Sequence, residues 1–112
     1  MYNILGELNK TNGVIGSMVV GSDGIIIAAD LDSRYEDETV GALASSIVTN
    51  ISKAMDRLDQ PQLNTVTVEA ENGKIFINDA GVGILAVMTE PEVNIGMVRL
   101  EIKNAVSKIK GQ

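Results

Sequence analysis

Apolar and polar residues alternate along this chain with a period that changes several times, and each change marks a new element. Ile4, Leu5 and Leu8 share one face of a short helix over Tyr2–Lys10, which Thr11-Asn12-Gly13 stops. Val14–Val20 and Ile25–Ala29 are apolar runs too short for helices and read as strands. Gly21-Ser22-Asp23-Gly24 joins them as a hairpin turn, because Asp-Gly supplies the positive φ that tight turns require. From Glu36 to Asp59 the period lengthens. Val40, Leu43, Ala44, Ile47, Ile51, Ala54 and Leu58 recur at three- and four-residue steps and predict a long helix with one apolar stripe.

Gln60-Pro61-Gln62 breaks the chain, and from Leu63 to Glu71 strict alternation returns. Val66, Val68 and Ala70 take one face of this strand, and Thr65, Thr67 and Glu69 the other. Asn72-Gly73 signals a second hairpin into Lys74–Asn78, where Ile75 and Ile77 oppose Phe76. Ala80-Gly81-Val82-Gly83 turns again. Ile84–Met88 shows no alternation, so it is expected at the sheet centre with both faces covered, and the same is expected of much of Val14–Val20 and Ile25–Ala29. A final helix runs from an Asn94 cap to about Lys110, with Pro91 upstream and Gly111 beyond. Ile95, Val98, Ile102, Ala105, Val106 and Ile109 form its buried stripe, and Met97 and Leu100 are expected against the N-terminal helix.

Strands apolar on both faces need cover on both sides. The predicted fold is an α+β sandwich in the order α-β-β-α-β-β-β-α. Its five-stranded, mainly antiparallel sheet carries the long central helix on one face and the two terminal helices on the other. Residues 1–112 are expected to form one domain, with no repeat, linker or low-complexity segment.

The central helix has a second seam beside its apolar stripe: Gly41, Ser45, Val48, Ser52 and Met55. These side chains are small or weakly polar, so another helix backbone can come close. No other long helix is free to fill that role, and self-association is the simplest occupant. Thr65, Val66, Thr67 and Val68 suit a free sheet edge that would join the same contact. The alternative is that Val48 and Met55 complete the core of one chain while Ser45 and Ser52 face water.

Composition removes whole classes of chemistry. The chain holds neither Cys nor His, so thiolate nucleophiles, disulfides, imidazole bases and Cys/His zinc sites are excluded. Nine basic against fifteen acidic residues give a net charge of −6, which argues against nucleic acid. Tyr2, Tyr35 and Phe76 are too few aromatics for a base-stacking platform. No apolar run approaches the roughly 20 residues of a membrane span. The first residues lack a basic, signal-like start, so a cytoplasmic location is expected. The sequons Asn9-Lys10-Thr11 and Asn50-Ile51-Ser52 then carry no meaning.

Three local patterns are weaker than they look. Gly21–Gly24 lacks the Gly-Lys-Ser/Thr ending and following helix of a phosphate loop. The acidic run Asp30–Glu38 fails as a calcium loop, because Arg34 and Tyr35 stand where an oxygen ligand and glycine are needed. It reads instead as a Ser33/Glu36 capping box with Glu36, Asp37 and Glu38 at a helix N-terminus, and an acidic surface for a partner stays open. Arg99, Lys103, Lys108 and Lys110 crowd the last helix, a placement favoured near a helix C-terminus. No cofactor or metal site is expected.

The element order resembles the Roadblock/dynein-light-chain family in three particulars. They are the hairpin Val19-Val20-Gly21-Ser22-Asp23-Gly24-Ile25, the small-residue-rich helix Glu36–Leu58, and Asn94-Ile95-Gly96-Met97-Val98-Arg99-Leu100-Glu101 opening the last helix. The resemblance implies a homodimer in which central helices pack together and edge strands join into one sheet. It also implies a non-catalytic regulator or scaffold for a small Ras-like GTPase, one that stimulates hydrolysis by positioning the GTPase's own switch residues. The alternative is a structural adaptor subunit with no effect on nucleotide turnover. Arg34 and Arg57 sit at the ends of the central helix, where an arginine finger or a plain solvated charge are the two options.

Overall fold

The computed structural model describes residues 1–60 and 62–112. Its elements are α1 (Tyr2–Asn9), β1 (Val14–Gly21), β2 (Ile26–Leu31), α2 (Asp37–Arg57), β3 (Thr65–Ala70), β4 (Gly73–Asp79), β5 (Gly83–Thr89) and α3 (Ile95–Lys110). The strands form one antiparallel sheet in the order β2-β1-β5-β4-β3, so the order and the layering match the sequence expectation. The expected break at Gln60-Pro61-Gln62 falls on Pro61, which lies outside the described residues.

Two apolar layers hold the sheet. On one face, Leu5 and Leu8 of α1 and Val98, Ile102 and Ile109 of α3 pack on Val19, Phe76, Leu85 and Val87. On the other face, Val40 and Ala44 of α2 meet Met18, Val20, Ile77 and Ala86. β5 contributes buried residues to both layers, which is why its sequence shows no alternation. A polar bridge ties α1 to the sheet: the buried Ser17 hydroxyl donates to Asn9 Oδ1 at 2.7 Å, and Asn9 Nδ2 donates to the Asp30 carbonyl at 2.9 Å. At the start of α3, Asn94 Oδ1 accepts from the Met97 N–H at 2.9 Å, the cap that the sequence predicts.

Four details depart from expectation. The capping box does not form. Asp32 Oδ1 accepts the Arg34 N–H at 3.0 Å and the Asp32 carbonyl accepts the Tyr35 N–H at 3.0 Å, so Ser33 lies in a turn. α2 therefore starts one residue late, behind an extended Glu36. It also ends at Arg57 rather than Asp59, whose φ of 59° no longer continues the helix.

β2 is a sheet edge, not a doubly covered strand. A register shift between Val19 and Val20 pushes Ile27 out of the ladder, and Ile25 and Ile27 are exposed. In the β3–β4 hairpin the turn residues are Glu71 and Asn72, and Gly73 already belongs to β4. Gly73 is required for close approach instead, since a Cβ there would lie 2.8 Å from the Thr89 carbonyl oxygen. Finally, Met97 and Leu100 do not meet α1. They are 49% and 52% exposed, because α1 packs against the Val98/Ile102/Ile109 side of α3.

Candidate functional site

The informative asymmetry is where α2 sits. It leans over β1 and β2 and leaves much of the same sheet face above β4 and β3 uncovered. Gly41 permits this. A Cβ at Gly41 would stand 3.3 Å from Ile26 Cγ1 and 3.7 Å from Val20 Cγ2, so the helix backbone comes down onto the sheet at that point. The residues facing the sheet are then Val40, Gly41 and Ala44, all buried, with Val48 half-buried behind them.

That placement rotates α2 relative to the expected stripe. Leu43 is 56% exposed, Ala54 and Leu58 are exposed, and Ile47 and Ile51 are only half-buried. The stripe assigned to the core from periodicity thus has one flank turned away from the core. The flank points at the uncovered strands. Between it and the sheet runs a trough of about 360 Å³, lined by Tyr35, Val40, Leu43, Ile47, Ile75 and Met88 among others. On the same sheet face a second trough of about 280 Å³ lies at the start of β3, lined by Val48, Leu63, Val66, Ile77 and Ile84 with Asp79 and Asn64.

The second trough opens onto β3, a free edge. The Asp79 N–H donates to the Asn64 carbonyl at 3.0 Å, which fixes the phase of the strand. Residues 64, 66, 68 and 70 turn their backbone groups toward β4, and Thr65, Thr67 and Glu69 turn theirs outward. Val66 and Val68 meanwhile place half-buried side chains on the trough side. An apolar helix flank, an apolar half-sheet and an unpaired strand edge are contiguous. Chemically this surface offers burial and backbone pairing.

The sequence-predicted interface residues divide accordingly. Gly41 is used by the chain's own sheet. Val48 lines the second trough, and Met55, one heptad on, is half-buried on the same line. Ser45 and Ser52 continue the opposite flank, which begins at Ala42 beside Ile25 and Ile26 at the start of β2. Thr65, Val66, Thr67 and Val68 occupy the edge strand as expected. Leu43, Ile47, Ile51 and Ala54 were placed in the core by their spacing, and their number was the available signal: seven apolar positions are more than one small sheet covers. The Arg34 side chain is 57% exposed and makes only solvent-exposed ion pairs. Its guanidinium lies 3.3 Å from Asp32 and 3.8 Å from Glu90, and 5.4 Å from the centre of the Tyr35 ring. Among the described residues no helix is long and apolar enough to cross a membrane.

Known proteins resemble this chain over most of its length. The family model described as Roadblock/LC7 domain matches residues 1–89. Two uncharacterized proteins of Methanocaldococcus jannaschii are each 43% identical over 107 residues, covering 96% of this chain and 94% of theirs. Among solved structures, the Roadblock/LC7 domain from Streptomyces avermitilis superposes with a TM-score of 0.91 at 22% identity, covering 99% of this chain and 95% of that one. Myxococcus xanthus MglB gives a TM-score of 0.90 at 16% identity, covering 97% and 84%. At these identities the two structures speak to the fold.

Proposed function

The chain belongs to the Roadblock/LC7 domain family, and on that premise we propose that it is a non-catalytic homodimeric scaffold or regulator for a small Ras-like GTPase. The observation that carries the association is the contiguous trough and edge. Leu43, Ile47, Ile51 and Ala54 on the α2 flank would pack on the same residues of a second copy, while β3 pairs with its symmetry mate through Thr65, Thr67 and Glu69. Val48, Val66, Val68 and Met55 remain within this contact. Gly41, Ser45 and Ser52 leave it. A two-fold contact of this kind buries one apolar face and leaves the outer surfaces of both copies for a partner. The protein would work in the cytoplasm, as one folded domain.

The GTPase is what the family resemblance implies for this chain, and it asks for no chemistry of the chain's own. Any stimulation of hydrolysis would act on the GTPase's own residues, with Arg34 drawn to two exposed carboxylates and Arg57 a solvated charge at the end of α2. The test has two parts. Sedimentation should give a dimer. Immobilised protein should then retain purified small Ras-like GTPases of the same organism, with a preference between GDP and a GTP analogue. Retention indifferent to nucleotide would favour the adaptor alternative, and no retention would remove the GTPase.

A further inference from the structure

We propose that the trough between α3 and β3, on the sheet face opposite α2, is a docking site for an acidic segment of a partner protein. α3 covers the middle of that face and leaves a trough of about 480 Å³ beside β3. Arg99 and Lys103 form its helix wall, Thr65, Thr67 and Asn78 its sheet wall, and Phe76 lies beneath. Every charged residue lining it is cationic, in a chain whose net charge is −6. Among the described residues neither cation makes an ion pair; Arg99 Nη2 reaches only Thr67 Oγ1, at 3.5 Å.

The helix dipole does not explain these two charges. Lys108 and Lys110 occupy the last turn, where a cation is favoured. Arg99 is the fifth residue of α3 and Lys103 the ninth, outside the reach of either terminus. Their spacing suits a ligand that carries more than one charge. Four residues apart on one side of a helix, their backbone positions are about 6 Å apart along the trough. A compact anion meets both only when the two long side chains bend toward each other, at a cost in side-chain entropy. Carboxylates on the same side of an extended segment are about 6.6 Å apart, and at successive helical turns about 6 Å, so a polypeptide matches the spacing. The threonine hydroxyls and the Asn78 amide supply neutral hydrogen bonds for the same segment.

The site lies on the opposite sheet face from the α2 flank but borders the same edge strand, so sedimentation of the same samples separates its failure from that of the dimer. The probe is a fluorescein-labelled decaglutamate peptide, followed by fluorescence polarisation at low and moderate salt. Wild-type protein should bind it, and binding should weaken with salt. Arg99→Glu with Lys103→Glu should reduce affinity about tenfold or more, and the Gln pair should give a smaller loss. Lys108→Glu with Lys110→Glu makes the same change in net charge away from the trough and should move affinity by no more than about threefold. Both pairs should sediment like wild type. Equal losses from the two Glu pairs would overturn the proposal, as would no binding by wild type. So would loss of binding to phosphatidylserine vesicles with peptide binding unchanged, which would mark a lipid surface instead.

Discussion

Leu43→Asp separates association from folding more sharply than any other change in the chain. Leu43 lies on the α2 flank and is 56% exposed, so slightly more than half of its surface remains to be covered by a second copy. Full burial of a leucine side chain stabilises by about 1.5–3 kcal/mol, which leaves roughly 1–1.5 kcal/mol outstanding per copy. Two-fold symmetry doubles this to about 2–3 kcal/mol, before any penalty for the carboxylates. Taking each aspartate out of water adds several kcal/mol more unless it finds a partner. With about 1.4 kcal/mol per decade, the dimer should weaken at least about 100-fold. Within one chain the same substitution gives up the part of Leu43 already buried, about 0.7–1.3 kcal/mol, and about 0.5 kcal/mol of helix propensity, so it should cost about 1–2 kcal/mol. Sedimentation velocity over a wide concentration range, with far-ultraviolet circular dichroism on the same samples, reads both quantities. A folded variant that dimerises like wild type would refute the flank as the interface, and a wild-type protein that stays monomeric at every concentration would refute the dimer.

Three further changes probe neighbouring elements. Gly41→Arg should lower the thermal midpoint rather than yield a folded monomer, because a Cβ there already meets Ile26 Cγ1 at 3.3 Å and overpacking costs about 1–3 kcal/mol before the guanidinium is counted; an unshifted midpoint would contradict the close approach of α2. Thr67→Pro removes an outward N–H from β3 and spares the ladder to β4, so dimer affinity should fall in sedimentation while circular dichroism is kept. Asn94→Ala deletes the cap on the Met97 N–H and should cost about 1 kcal/mol, a drop of roughly 4 °C in the melting curve.

Strand placement was readable where burial dictated composition. β5 must be apolar on both faces because both layers use it, and the alternation of β3 follows from one face being polar. β2 shows the limit of that rule. Its apolar run matches a central strand, yet it pairs with β1 alone and a register shift turns Ile27 out of the ladder, and no residue type announces a bulge of this kind. The Ser33 cap failed for a related reason. Asp32 folds the chain into a turn, its carboxylate taking the Arg34 N–H and its carbonyl the Tyr35 N–H, so α2 begins beyond Ser33, and spacing alone does not show that turn.

The same ambiguity, on α2, separates the existence of the site from its residues. A helical period groups residues into flanks but does not say which apolar flank faces the chain's own sheet. Surplus apolar surface was therefore legible, while the flank that the structure leaves open is not the small-residue seam. What sets the phase is a contact between distant elements. Gly41 has no side chain to hold α2 off Ile26, so the helix settles there and Leu43 and Ile47 swing over β4. A larger residue at position 41 would lift the helix from β2 and change which flank is left open. The small residue that suggested a helix–helix seam thus acts one step earlier: it seats α2 on its own sheet, and that seating exposes the surface a second copy can cover.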